Sequence, residues 1–145
     1  MSERVKRMSL VLKLARQQED ELRDQLLGQE EQLKSQEAQL SSMERYNQDF
    51  QQELRLQHHP ASGEQLSRQR HFLGELARAM GAQENQIKQQ QQRLESLRGA
   101  WYQLHQKNQL IEELCNKIRH EVDIQAEKQL QKMLDDLVNR QSLQR

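Results

Sequence analysis

A heptad repeat of apolar residues runs from Val5 to Gln57 and constrains the fold of this chain more than any other feature. Its a positions are Val5, Leu12, Glu19, Leu26, Leu33, Leu40, Asn47 and Leu54. Its d positions are Met8, Ala15, Leu22, Gln29, Gln36, Met43, Phe50 and Gln57. Eleven of these 16 residues are apolar, and such a spacing keeps one stripe of a helix turned toward a partner helix. Because a single helix cannot bury its own stripe, the repeat predicts a chain that packs helix against helix.

A second heptad repeat follows the only proline, Pro60. Proline disfavours helix at the residue before it, so the first helix should end near Gln57. Ser62 and Gln65 form an S-x-x-Q capping box, which predicts that a second helix starts there. The a positions of this helix are Leu66, Leu73, Met80, Ile87, Leu94, Trp101, Asn108, Cys115 and Val122, and its d positions are Gln69, Leu76, Gln83, Gln90, Leu97, Leu104, Ile111, Ile118 and Gln125.

These patterns predict an all-α fold: a long antiparallel two-helix coiled-coil hairpin in which the second helix overhangs the first. A single domain spans residues 1–145, with a helix over about 3–57, a hinge at 58–62 and a helix over about 63–139. The connection is short, so the helices should be antiparallel neighbours. Folding about the hinge pairs residues whose numbers sum to roughly 121.

The second helix should therefore extend about 22 residues past the start of the first, which is about 33 Å of helix. Its apolar stripe there consists of Ile118, Val122, Ala126, Leu130, Met133 and Leu137. Nothing else in the chain is available to cover this stripe, so we expect a partner to bury it. The alternative is a frayed, partly disordered tail.

A second apolar stripe lies nearer the hinge, on both helices. It consists of Gln39, Met43, Tyr46 and Phe50 on the first helix and of Phe72, Leu76, Ala79 and Gln83 on the second. Three of the five aromatic residues of the chain fall on it. The residues alone allow two interpretations: a thickened core, or a partly exposed docking surface.

Composition argues against several classes of function. Only 34% of the residues are apolar and 30% are charged, with 22 basic residues balancing 22 acidic ones. A chain without net positive charge lacks the field that attracts nucleic acid, and no apolar run is long enough to insert into a membrane. The single cysteine, Cys115, excludes an internal disulfide. His58 and His59 stand in the hinge without further metal-ligand residues, so we expect no metal, no cofactor and no enzymatic activity.

Several segments of the sequence resemble the FliJ family of flagellar export proteins. They are Tyr46-Asn47-Gln48-Asp49-Phe50, Leu66, the run from Phe72 to Met80, Trp101, Lys107, the run from Ile111 to Leu114, and the run from Glu127 to Asp136. With the chain length and the early hinge, the resemblance covers nearly the whole chain. It implies a non-enzymatic, cytoplasmic component of the type III export apparatus, peripherally associated with the inner membrane at the flagellar base.

The resemblance also implies partners for the two stripes. Proteins of this family are similar to the rotor stalk of rotary ATPases; they bind the hexameric export ATPase, the membrane export gate and export chaperones. The family's gate-binding surface would fall on Gln39, Met43, Tyr46, Phe50, Phe72, Leu76, Ala79 and Gln83. Its ATPase-binding surface would fall on Val5, Met8, Ile118, Val122, Ala126, Leu130, Met133 and Leu137. Relatives often carry Leu, Tyr and His at the positions of Met43, Phe50 and Gln83.

Three other functions stay open from the residues. An injectisome counterpart of the same stalk would look similar. A general homodimeric coiled-coil scaffold would pair its overhang with a second copy. A metal protein would require tight zinc binding by His58 and His59.

Overall fold

The computed structural model describes residues 3–57 and 62–143, which form two α-helices, α1 (Glu3–Arg55) and α2 (Gly63–Leu143), and no strand. The predicted all-α class is therefore confirmed. Helix α1 ends at Arg55 rather than at residue 57, and α2 continues to Leu143 rather than to residue 139. Of the predicted hinge, residues 58–61 lie outside the described part of the chain, and His58, His59 and Pro60 are among them.

Local hydrogen bonds define the ends of the helices on either side of the connection. The amide of Leu56 still donates to the carbonyls of Gln52 and Glu53, at 3.1 and 3.2 Å, so α1 ends in a tightened last turn. The Ser62 hydroxyl accepts from the Gln65 amide at 3.2 Å, and the Gln65 side chain accepts from the Ser62 amide at 3.4 Å. This reciprocal pair is the predicted capping box, and it satisfies two amides that would otherwise lack partners.

The chain divides into two compact units, and residues Leu22–Ala100 form the one that contains the turn. Here α1 and α2 pack antiparallel as a helical hairpin. Contacts join Tyr46 to Phe72, Gln36 to Gln83 and Glu30 to Arg98, so residue numbers fall along α1 as they rise along α2. The most deeply buried apolar side chains of this unit are Ile87 and Leu94.

The other unit comprises Met1–Glu21 and Trp101–Arg145. Its helical segments are also antiparallel: Ala15 contacts Asn108, Met8 contacts Cys115 and Ser9 contacts Arg119. Beyond these contacts α2 continues without α1, and every residue from Asp123 to Leu143 is exposed. The predicted overhang is thus present within this unit, although it starts later than residue 118.

Burial along both helices follows the predicted heptads. Every a and d position of α1 from Val5 to Leu54 is buried or half-buried, and so is every a and d position of α2 from Gln69 to Val122. Three predicted seam residues at the ends of the repeats, Gln57, Leu66 and Gln125, are instead exposed. At these three positions the opposite helix is at or beyond its end, so it does not cover their side chains.

Truncation of a seam leucine should therefore cost far more than truncation of an outer one. Leu94 is 4% exposed, whereas Leu27, in the same unit, is 55% exposed. We expect Leu94→Ala to lower the free energy of unfolding by about 2–3 kcal/mol, because it leaves a gap in the seam. Leu27→Ala should change it by less than about 0.5 kcal/mol. Urea denaturation followed by circular dichroism measures both; equal losses would contradict the register.

Candidate functional site

The predicted stripe near the turn separates into an exposed half and a seam half. Gln39, Tyr46, Phe72 and Ala79 are exposed, and they occupy the g positions beside the seam. The Tyr46 and Phe72 rings meet edge to face across the two helices, with centroids 5.9 Å apart. Phe72 also contacts the half-buried ring of Phe50, at 4.9 Å. An aromatic cluster held between two helices and still open to water is suited to docking a partner.

The other four residues of this stripe belong to the seam. Met43, Phe50 and Leu76 are half-buried, and Gln83 is buried. The Gln83 amide donates to the Gln36 carbonyl at 3.0 Å and to the Gln39 side chain at 3.3 Å. The Gln83 side chain is therefore used in the contact between α1 and α2, and the assignment of Gln83 to the gate-binding surface stays a prediction.

The second predicted surface also needs correction at its start. Val5 is 5% exposed and Ile118 is 6% exposed, so neither is uncovered. The first turns of α1 lie against this part of α2: the Cys115 thiol donates to the Met8 carbonyl at 3.4 Å, and Arg119 donates to Ser9 at 2.7 Å. Met8 and Val122 are half-buried. Helix α1 reaches slightly further along α2 than the predicted pairing allowed.

From residue 123 onward the apolar side chains are uncovered, and we call residues 123–143 the C-terminal segment. Ala126, Leu130, Met133 and Leu137 of the predicted stripe are exposed there. The structure adds further exposed apolar side chains that the prediction omitted: Ile124, Leu134, Val138 and Leu143. The apolar face of the segment is therefore wider than predicted, and six large aliphatic side chains between Leu130 and Leu143 are open to water.

A polar cluster inside the seam of the unit formed by Met1–Glu21 and Trp101–Arg145 was not predicted. Glu19 is buried at an a position, where its carboxylate accepts from Arg16 at 2.7 Å and also contacts His105. Asn108 is 0% exposed and donates to the Ala15 carbonyl at 2.9 Å and to Glu19 at 3.3 Å. Arg16 extends the cluster to Glu112 across the seam. The sequence does show two polar residues, Glu19 and Asn108, at a positions. It does not show which residues they contact.

These contacts keep Glu19 ionised. Burial alone would raise the pKa of its carboxyl, but hydrogen bonds from Arg16, His105 and Asn108 and the charge of Arg16 outweigh that effect. They lower the pKa from 4.5 to about 2. The guanidinium of Arg16 is held charged in return, because the hydrogen bond to Glu19 raises its pKa. The cluster therefore carries a fixed negative charge in the seam that is compensated by neighbouring donors.

Metal-ligand side chains and apolar helix stretches bear on two of the sequence-based expectations. Among the described residues, no group of three or more His, Cys, Asp or Glu side chains is arranged to hold a metal ion. The two hinge histidines lie outside those residues. Neither described helix contains a stretch that is apolar enough over sufficient length to cross a bilayer.

Comparison with known proteins adds one family. The family model described as "FliJ: Flagellar FliJ protein" matches residues 4–145 of this chain. No curated protein and no solved structure matches. The family match covers both units and both candidate surfaces.

The depressed pKa of Glu19 makes stability depend on pH. Above pH 5 the carboxylate is ionised in both the folded and the unfolded chain, and its hydrogen bonds stabilise the fold fully; as the pH falls from 4.5 toward about 2, the unfolded chain takes up the proton first and that stabilisation is lost. Glu19→Gln should lower the free energy of unfolding at pH 7 by about 1–3 kcal/mol. Its deficit should shrink as the pH falls through this window.

Urea denaturation at a series of pH values measures this difference, with Glu21→Gln as the matched control, because Glu21 is an exposed carboxylate on the same helix. The control should follow the wild-type curve. A Glu19→Gln deficit that stays constant from pH 7 to pH 2.5 would contradict the assignment.

Proposed function

The chain belongs to the FliJ family of flagellar proteins, and we propose that within flagellar protein export it acts as a non-enzymatic stalk that binds the export ATPase ring. The observation that supports this proposal is the C-terminal segment, where α2 continues past the start of α1 with its apolar face uncovered. A helix with such a face is a typical ligand for a groove or a ring on another protein.

The exposed side chains of this segment are large enough to provide most of a binding interface. Leu130, Leu134 and Leu137 are each more than half exposed, and burying one such side chain contributes about 1.5–3 kcal/mol at most. They recur at helical spacing, so they form one face about 10 Å long. If this helix is inserted into the opening of a ring, the surrounding subunits cover its apolar face. The rotor stalk of a rotary ATPase is held by its ring in the same way.

The ATPase-binding surface that we propose differs from the sequence-based one at its start. Val5 and Ile118 are packed in the seam, so they would support the segment rather than touch the ring. Met8 and Val122 would lie at the rim, since both are half-buried. Contact with the ATPase would be made by Ala126, Leu130, Met133 and Leu137, together with the neighbouring Leu134 and Val138.

For the membrane export gate, we propose the exposed aromatic cluster of the unit that contains the turn. Tyr46 and Phe72 supply two rings at the surface, and Gln39 and Ala79 flank them. Phe50, Met43 and Leu76 would back this surface from the seam, and Gln83 would orient Gln39 through their hydrogen bond. The ATPase and the export gate would thus bind different units of the chain. Export chaperones would be a third class of partner. All of these contacts would be made at the cytoplasmic side of the inner membrane.

Two aspartates on the apolar face of the C-terminal segment should abolish capture of the ATPase. We expect Leu130→Asp with Leu137→Asp to weaken binding at least tenfold, because both charges would have to be desolvated in the interface. Helicity should be retained, since both side chains are exposed in the free chain. Pull-down of the purified ATPase and circular dichroism measure the two effects.

The matched control is Gln125→Asp with Asn139→Asp, which adds the same two charges to the same segment on roughly the opposite face of the helix. Binding by this control should remain close to that of the wild type. If both double variants bind equally well or equally poorly, the stripe is not the ATPase-binding face.

Loss of the two exposed rings should weaken binding to the export gate. We expect Tyr46→Ala with Phe72→Ala to raise the dissociation constant for the cytoplasmic part of the gate protein about tenfold or more, because aromatic anchors dominate such interfaces. Tyr102→Ala is the matched control, since Tyr102 is as exposed as Tyr46, at 56%, but lies in the other unit. Calorimetry measures the affinities; a collapse of the thermal transition in the double variant would instead make these residues core.

A further inference from the structure

The seam of the unit formed by Met1–Glu21 and Trp101–Arg145 has two unlike sides. On one side, polar side chains reach across it: Arg16 to Glu112, and Arg119 to Ser9. The other side carries an open apolar groove of about 330 Å³, lined by Val11, Leu14, Ala15, Gln18, Leu104, Lys107, Asn108 and Ile111. Only one side of this helix pair is therefore closed by its own side chains.

The groove presents apolar surface in an arrangement that a third helix would fill. Val11 and Leu14 line the groove on α1 and are about half exposed, and Leu110 and Leu114, which are 66% and 48% exposed, lie on α2 within one turn of the lining residue Ile111. Side chains three and four residues apart line one face of each helix, so these four form a continuous apolar border. Two helices with apolar residues beside their seam are the arrangement from which three-helix bundles are built.

One cation stands among these apolar side chains. Lys107 lies on α2 one turn from both Leu104 and Ile111 and lines the groove. It makes no ion pair with any residue in the described ranges, 3–57 and 62–143. A helix that fills the groove would therefore bind best with a carboxylate beside its apolar stripe.

The C-terminal segment of this chain has these properties. Leu130, Leu134 and Leu137 form its exposed stripe. Glu127 is one turn before Leu130 on the same side, and Asp123 is one turn before Glu127. The basic residues Lys128 and Lys132 lie two positions to either side of Leu130, so they point away from the stripe. Residues 127–137 and the groove residues 104–114 are equally long, about 16 Å of helix each.

The segment that fills the groove must come from another molecule. Helix α2 runs unbroken from Gly63 to Leu143, so its own C-terminal segment cannot turn back onto residues 104–114. Pairing of two grooves face to face is disfavoured, because a symmetric contact brings Lys107 of one copy toward Lys107 of the other. Pairing of groove with segment instead places opposite charges together and covers both exposed apolar surfaces.

We propose that this groove binds the C-terminal segment of a second copy of the chain, with Lys107 facing the acidic side of that segment. Self-association then shields the same stripe that is proposed to enter the ATPase ring. The inference does not rest on that proposed function, since it concerns the chain alone.

Complementation between two full-length variants tests the proposal. Lys107→Glu should disable the groove, and Leu130→Asp with Leu137→Asp should disable the segment. Light scattering over a range of concentrations should show that the wild type self-associates, whereas each variant alone does so at least tenfold more weakly. Mixed together, the two should form a complex of one copy of each, because one supplies the segment and the other supplies the groove. Lys128→Glu makes the same charge change on the opposite face and should behave as the wild type.

Charge reversal gives a second, independent measurement. A chain that carries Lys107→Glu together with Asp123→Lys and Glu127→Lys should regain the self-association that Lys107→Glu alone loses. Lys107 is not part of the proposed ATPase-binding stripe, so Lys107→Glu should leave ATPase capture intact and the two proposals can fail separately.

Four results would overturn the inference. They are a wild type that stays monomeric at every concentration, a segment variant that still self-associates, a mixture that forms no complex, and a charge-reversed chain that shows no recovery. A different helical protein that binds the groove while the wild type stays monomeric would assign the groove to that partner.

Discussion

Neither helix of this chain can shield its apolar stripe from water alone, so the packing of α1 against α2 within each unit is the contact on which the structure depends. Only two residues of every seven belong to the seam. Its most deeply buried apolar side chains are Ile87 and Leu94 in one unit, and Val5, Cys115 and Ile118 in the other. Most other positions of the paired segments are exposed, which explains how a chain with 30% charged residues folds. Because so narrow a seam has no room for a ligand, a partner would have to contact the outer surfaces of the helices.

Polar residues within the seam decide which residues of the two helices face each other. At d positions, the side chains of Gln90 and Gln29 meet each other, and Gln83 reaches the Gln36 carbonyl. In the other unit, the Asn108 amide donates to the Glu19 carboxylate, and both residues occupy a positions. A shift by one heptad would leave these groups buried without partners, at a cost of about 1–3 kcal/mol for each. Apolar side chains tolerate such a shift far better. The few polar seam residues therefore specify the register of the two helices, although apolar residues in their place would give a more stable seam.

The exposed apolar surfaces arise where this pairing is incomplete. Beside the turn, the rings of Tyr46 and Phe72 stand next to the seam rather than within it. Past Val122, every described residue of α2 is exposed. In the same unit, one side of the seam is closed by the Arg16–Glu112 ion pair and the Arg119–Ser9 hydrogen bond, while the other side remains a groove. Under the proposed function, in which this member of the FliJ family binds several partners of the export apparatus, these uncovered surfaces are the ones that partners would bury.

Spacing along the sequence is enough to predict two helices, their heptad positions, the capping box at Ser62 and an apolar stripe that continues past the start of the first helix. Each depends on periodicity or on residues a few positions apart, which a single sequence displays directly. The packing of the helices, in contrast, sets the residue at which the stripe becomes exposed and the partners of the polar seam residues. The pairing of Met8 with Cys115 buries Val5 and Ile118, and the seam accommodates Gln83 and Glu19. These outcomes depend on the offset between the two helices, which is set by side-chain packing between them, and no spacing along one helix encodes that offset.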